Sequence, residues 1–313
     1  MTYLYRVGGY LSKKKSVLED KQLFHNIRNL PTLPFIAVKV MDAVNNPRSS
    51  ASDLAKIISS DEALAAKVLR LVNSAYYGFP NPITTITHAV AILGFNTLRT
   101  LVVGISISGL FSNRPGDLFD RKALWSHSVA TAIGAKALAR RVGYPNHEEM
   151  FLAGLLHDVG KIILDMYVHD EFIKAVELGK AKNIPLYMAE REVLGATHAE
   201  VGKLIGDQWK LPSVLTEAIR WHHEVERAGE HEKIAAIVCV ANALALTQRI
   251  GASGDFAKPF YGSVAAEALN LEQIRLDDLR GELNRGILEC RNFLDINELQ
   301  SSPEPPDEKE KKS

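Results

Sequence analysis

The sequence has no excess of charge of either sign, since 37 Lys and Arg balance 37 Asp and Glu over 313 residues. That excludes the global field expected of a nucleic-acid or membrane-surface binder. Cysteine is scarce. The two present, Cys239 and Cys290, lie in apolar helical contexts and suggest no disulfide framework. No apolar run approaches the length of a membrane span. At the start, the basic cluster Lys13-Lys-Lys15 follows the apolar residues, the reverse of a secretory signal. These absences point to a soluble cytoplasmic protein. Strand signals are nearly missing as well, which leaves an all-α chain.

What is present is helical period, punctuated by caps. Residues 1–20 carry no clear period and read as an extension. Residues 21–113 read as a smaller helical subdomain. In it, Pro34 can occupy the first turn of a helix from Phe35, and Ser50 or Ser52, Asp61, and Thr84 or Thr85 can cap later ones. Gly94 closes one helix before a further apolar one. The turn-rich Ser112-Asn-Arg-Pro-Gly-Asp117 marks a boundary. Residues 114–297 then read as a multi-helix bundle, with helices at Arg121–Arg141, His147–Leu156, Asp170–Lys182, Pro185–Leu194, and about 197–207, 212–226, 231–250 and 274–293. The charged, Pro-containing tail 298–313 has nothing apolar to bury and should be disordered.

Two short helices before Asn73-Ser74 suggest a helix-turn-helix. A recognition helix needs several basic or amide side chains on its exposed face. Glu62–Val72 offers only Lys67 and Arg70, which argues against DNA binding.

The chemistry centres on Gly154-Leu-Leu-His-Asp-Val-Gly-Lys161. An imidazole beside a carboxylate joins a borderline nitrogen donor to a hard oxygen donor, a pair suited to a divalent first-row metal. On a continuing helix Lys161 shares a face with Asp158, where its ammonium could meet an anion. An isolated His-Asp pair is also an ordinary surface helix end. His127, His198 and the pair His222-His223 each have a similarly plain explanation: a hydrogen-bonded core residue, first-turn polarity, or a dipole-favoured helix end. Together they form a set within one predicted helical domain. Neighbours on a helix diverge by about 100°, so His222 and His223 would more easily serve two metals than one.

The order His127, His157-Asp158, His198, His222-His223 resembles the HD superfamily of metal-dependent phosphohydrolases, with a layout closest to its HD-GYP branch of cyclic-dinucleotide phosphodiesterases. Two departures stand out. Glu224–Glu230 replaces the Gly-Tyr-Pro signature, and Asn242 stands where the closing Asp is expected. Earlier in the chain Asn29-Leu-Pro-Thr-Leu-Pro34, Ile57–Leu69, Val72-Asn-Ser-Ala-Tyr-Tyr-Gly78 and Ala91-Ile-Leu-Gly94 resemble the HDOD family, an HD-related signalling module often degenerate at its metal site. The resemblance covers roughly residues 22–295.

It implies an HD-like helical bundle preceded by a smaller helical subdomain. It further implies one ligand set of His127, His157, Asp158 and Asn242, and a second of His198, His222 and His223 with Asp158 bridging. Two divalent transition metals would be held there, iron or manganese first, nickel or zinc next. Asp158 and Lys161 would carry any catalysis, Lys161 on phosphoryl oxygens. Asn242 is uncharged and weakens this reading. Two functions therefore stay open. One is a bacterial-type regulatory module acting through an unidentified signalling partner, with no input domain of its own expected. The other is a phosphohydrolase acting on a nucleotide or cyclic dinucleotide.

Overall fold

Polar side chains cap the starts of five helices, at Ser50, Asp61, Thr85, Asp120 and Thr197. The computed structural model describes residues 32–113 and 119–290, and it contains no strand among them. Helix α1 (Phe35–Asn45) follows Pro34, which lies one residue before the helix rather than in its first turn, with an extended ψ of 142°. Helix α2 (Ala51–Ser59) starts after Ser50 rather than Ser52, because Ser50 and Asp53 form a reciprocal capping box. Asp61 caps α3 (Glu62–Val72) and Thr85 caps α4 (Ile86–Ser108). Within α4, Gly94 takes φ 78° and kinks the helix, a backbone state open to glycine at no steric cost.

Asp120 caps the long helix α5 (Arg121–Arg141). Then come α6 (His147–Leu156), α7 (Val159–Tyr167), α8 (His169–Lys182) and α9 (Leu186–Leu194). The described chain ends with α10 (His198–Gln208), α11 (Ser213–Trp221), α12 (Glu232–Thr247), α13 (Ser263–Ala268) and α14 (Leu276–Glu289). Thr197 and Glu200 box the start of α10.

Three expectations need correction. The helix expected to continue through Asp158 to Lys161 breaks at His157-Asp158 and restarts as the separate α7. Helix α11 stops at Trp221, not near 226, and is followed by a short 3-10 turn at Val225–Arg227. Thirdly, α4 with the turn after it, Ile86–Phe111, is long and apolar enough to cross a membrane by length and composition. Most of its apolar window, 61%, is buried inside the protein, so it is built as a core helix. The expected extension at 1–20 and tail at 298–313, and all but Ser112 and Asn113 of the expected turn at 112–117, lie outside the described residues.

Packing is organised on α5. It is buried on nearly all sides and packs against α6, α12 and α14. Helix α4 collects α1, α2 and α3 on one side and meets α6 on the other, with buried Arg99 reaching Glu149 at 3.6 Å across that contact. Helices α7, α10 and α11 form the opposite flank. One continuous apolar core runs from Leu33 to Cys290.

The tightest point lies between α7 and α10. A Cβ added at Gly160 would fall 1.9 Å from the His198 carbonyl oxygen, so only glycine lets these backbones approach. Gly160→Ala should therefore lower stability by about 1–3 kcal/mol, as overpacking does. Gly281→Ala, on α14, where an added Cβ would meet only the flexible Arg285 side chain at 4.0 Å, should raise stability by about 0.5–1 kcal/mol. Urea denaturation of both variants checks the pair, and equal midpoints would disprove the close approach.

Candidate metal centre

The apolar run Met150–Leu156 is wholly buried, so whatever ends α6 is delivered into the interior. His157 keeps helical dihedrals at the C-cap, and Asp158 leaves them with φ −102° and ψ 8°. Asp158 stands at the N-cap of α7 but makes no capping bond. Its fully buried carboxylate turns instead toward the histidines.

Two imidazoles are fixed in the same way. His157 Nδ1 lies 2.7 Å from the Gly154 carbonyl, and His222 Nδ1 lies 2.7 Å from the Ile219 carbonyl. A carbonyl only accepts, so Nδ1 carries the proton and Nε2 presents a lone pair. His198 is held by Glu190, whose Oε2 accepts from both the His198 backbone N–H at 2.8 Å and Nδ1 at 2.7 Å. A carboxylate behind an imidazole orients it and strengthens it as a donor.

The free nitrogens converge on Asp158. His157 Nε2 lies 3.3 Å and His127 Nε2 3.8 Å from its Oδ2, while His198 Nε2 lies 3.2 Å and His222 Nε2 3.9 Å from Oδ1. His223 Nε2 lies 3.1 Å from His198 Nε2, and its ring stacks on Tyr187. The ligand atoms of Asp158, His198, His222 and His223 fall within 4.8 Å of one another, as do those of His127, His157 and Asp158. Asp158 belongs to both groups. Asn242, from α12, lies close enough to His127 to affect its basicity. The structure thus gathers every expected site residue into one cluster.

His222 and His223 join the same group, against the expectation that they would diverge. The 100° argument applies to a continuing helix, and the chain leaves α11 at Trp221, which brings the two ring centroids to 4.0 Å. Lys161 is buried too. Its ammonium donates to Asp158 Oδ2 at 2.7 Å and to the Ser253 carbonyl at 3.0 Å, which leaves one N–H uncommitted.

Whether these residues suit a metal can be judged from their unmet bonds. His157 Nε2, Asp158 Oδ1, His222 Nε2 and Asn242 Oδ1 are all buried without a hydrogen-bond partner. Each such atom costs about 1–3 kcal/mol, and a cation at the centre would use the lone pairs together. Imidazole nitrogens with one carboxylate fit a divalent first-row metal.

Charge follows burial. Desolvation pushes His127 down to about 3 and holds His222 and His223 well below the usual imidazole range, so all three are neutral donors. Burial alone would raise the Asp158 carboxyl, but His157 and Lys161 outweigh it and hold it well below the carboxylate range. Burial likewise works against protonated His198, and Glu190 overcomes it and raises that imidazole.

Sequence reasoning missed three residues around the site. Glu190 sits in an ordinary-looking Ala189-Glu-Arg191, and only its burial behind His198 distinguishes it. Tyr187 has no motif. Asp255, in the loop that also supplies Ser253, is raised by burial and lies near Lys161 and His198. His88, His147, His169 and His231 join neither group, and His25 lies outside the described residues.

Residues 30–225 match the family model of the HDOD domain, more than half of the chain. The chain belongs to the HDOD family. The matched segment ends just past His223, so Asn242 and the loop bearing Ser253 lie beyond it. A solved HDOD domain protein of unknown function from Geobacter sulfurreducens is 28% identical, covers 91% of this chain and 98% of its own, and superposes with a TM-score of 0.73. A solved protein from Shewanella amazonensis SB2B, described provisionally as a phosphohydrolase, is 27% identical over 88% of this chain and 97% of its own, with a TM-score of 0.68. An uncharacterised protein of Treponema pallidum (strain Nichols) is 29% identical over 69% of this chain. The chain spans 42% of that relative's length.

Two outcomes follow for the metal-free protein. Below about pH 6.5 the unfolded chain gains protons on His127, His222 and His223 that the folded state refuses, so these depressed groups stabilise above that pH and lose their contribution as pH falls. His198, raised in the fold, works in the opposite direction but is one group against three. Thermal denaturation of chelator-treated protein should show the midpoint dropping between pH 7 and pH 5, and a flat profile would contradict neutral burial. Glu190→Gln should weaken metal binding by roughly 10–100-fold, measured by chelator competition, with the fold retained by circular dichroism.

Proposed function

We propose that this HDOD protein is a regulatory module that acts by binding a partner, and that its His/Asp centre binds a divalent transition metal without efficient turnover. The observation that carries the metal reading is the ring of unsatisfied buried donors around Asp158. A divalent ion bound there would supply Lewis acidity toward a phosphoryl oxygen and acidify a coordinated water. The chain's residues fall short of that chemistry in two ways.

The first is charge. Asp158 is the one carboxylate among the donors of the two groups, and Asn242 brings an amide rather than a second anion. Metal affinity then rests on neutral imidazoles. The second is Lys161. Its ammonium already holds Asp158 Oδ2, so it opposes a cation at that oxygen. Being also tied to Ser253, it can turn only one N–H toward a phosphoryl group.

A phosphohydrolase acting on a nucleotide or cyclic dinucleotide is the second reading. It is favoured by the shared carboxylate between two donor groups, the arrangement two-metal hydrolysis needs, and by the description of the Shewanella relative.

Elemental analysis of freshly purified, untagged protein tests the metal reading. One or two equivalents of iron, manganese, nickel or zinc are expected, lost in a His157→Ala/Asp158→Ala control. No metal after anaerobic reconstitution with iron or manganese would sink it. Assays with bis-p-nitrophenyl phosphate and cyclic dinucleotides then separate the two functions. The regulatory reading expects turnover far below about 1 s⁻¹, rising with metal occupancy in Asn242→Asp. Wild-type turnover at ordinary enzyme rates would make the protein a hydrolase.

A further inference from the structure

The motif Asn73-Ser-Ala-Tyr-Tyr-Gly78 contributes nothing to the metal centre, yet Tyr76 and Tyr77 help to enclose a cavity of about 390 Å³. That volume lies within the range of small-molecule sites, roughly 300–1,000 Å³. The cavity occupies the seam between α4, α5 and α14, with the loop after α3 forming one wall.

The aromatic wall is preassembled. Tyr76 and Tyr77 meet edge to face at 5.2 Å, and Phe79 lies parallel to Tyr77 within 1° at 6.3 Å. Buried Lys136 sits over both tyrosines, 5.2 and 5.9 Å from the ring centroids, and pairs with Glu148. Neither tyrosine hydroxyl has a hydrogen-bond partner among the described residues.

The cationic wall is not neutralised. Arg140 of α5 and Arg285 of α14 line the cavity with no carboxylate partner among the described residues. By contrast, Glu282 is taken by Arg141 at 2.7 Å, and Glu148 by Lys136. Glu289 remains as a free acceptor in the lining. Paired guanidinium groups are the usual grip on a phosphate, while aromatic faces take a base by stacking, worth about 1–3 kcal/mol per base.

We propose that this cavity is a second ligand site, separate from the metal centre, that binds a mononucleotide with its phosphate on Arg140 and Arg285 and its base against Tyr77 and Phe79. Glu289, which also lines the cavity, offers an acceptor that suits a base carrying an exocyclic amine. The site is distinct from the histidine cluster. Both are mounted on α5, but Arg140 follows His127 by 13 residues on that helix, about 20 Å along its axis. A ligand here would clamp the loop after α3 and α4 to α5 and α14, and α5 carries His127. The inference does not depend on metal binding or on hydrolysis.

Isothermal titration of the full chain tests it, with AMP, GMP, adenosine and inorganic phosphate as probes. The expected result is binding of AMP or GMP with a Kd below about 1 mM, with adenosine and phosphate each weaker by about tenfold or more. Arg140→Ala/Arg285→Ala should lower the nucleotide's affinity by about tenfold or more. Both residues are exposed, so the fold should persist, as unchanged thermal denaturation would verify. His157→Ala should bind as the wild type does. The proposal is overturned if neither nucleotide binds, or if phosphate alone binds as tightly. It is equally overturned if affinity is lost in His157→Ala and kept in the arginine variant.

Discussion

A single carboxylate without solvent contact sets the terms for this protein. Taking Asp158 out of water is costly unless charge and hydrogen bonds come in with it. Lys161 answers at 2.7 Å, and four imidazoles close in at 3.2 to 3.9 Å. Supplying them takes residues from α5, α10 and the end of α11 as well as from the α6–α7 junction. The same requirement explains the helix break. A continuous helix would carry Asp158 past the interior, whereas the kink after His157 turns it inward while the Gly154 carbonyl still holds the imidazole. Gly160 then lets α10 come near enough for His198 to arrive.

The cluster is balanced between structure and chemistry. Its unsatisfied lone pairs favour a cation, while the Lys161 ammonium occupies the position a cation would want. A catalytic pair of metals is better served by a second carboxylate than by the amide of Asn242. The centre therefore has the donor geometry of an HD-type site with less of its charge.

Helix α5 ties the parts of the molecule together. One end carries His127 into the metal centre, and the other carries Lys136 and Arg140 to the seam with α4 and the tyrosine loop. Arg99 of α4 pairs with Glu149 of α6, so displacement of α4 would leave the buried Arg99 unpaired, while Lys136 with Glu148 ties α5 to α6.

Much of this was legible along the chain, because the relevant signals are local. Ser50, Asp61, Thr85 and Thr197 act on amides within three residues, so the helix starts could be read to within two residues, with Ser52 and Thr84 the competing caps. The helix periods named an all-α fold, and the ordered histidines with His157-Asp158 marked the centre. What could not be read was any contact made across the fold. The turn that separates α6 from α7, the convergence of His222 with His223, and the burial of the apolar helix α4 depend on what packs around them. Glu190 behind His198, Ser253 against Lys161, and Arg285 brought into one cavity with Tyr77 leave no local pattern. The sequence by itself determined which donors the chain carries and on which helices. Only the tertiary structure decided which of them share one buried cluster, because desolvation and convergence act through space rather than along the backbone.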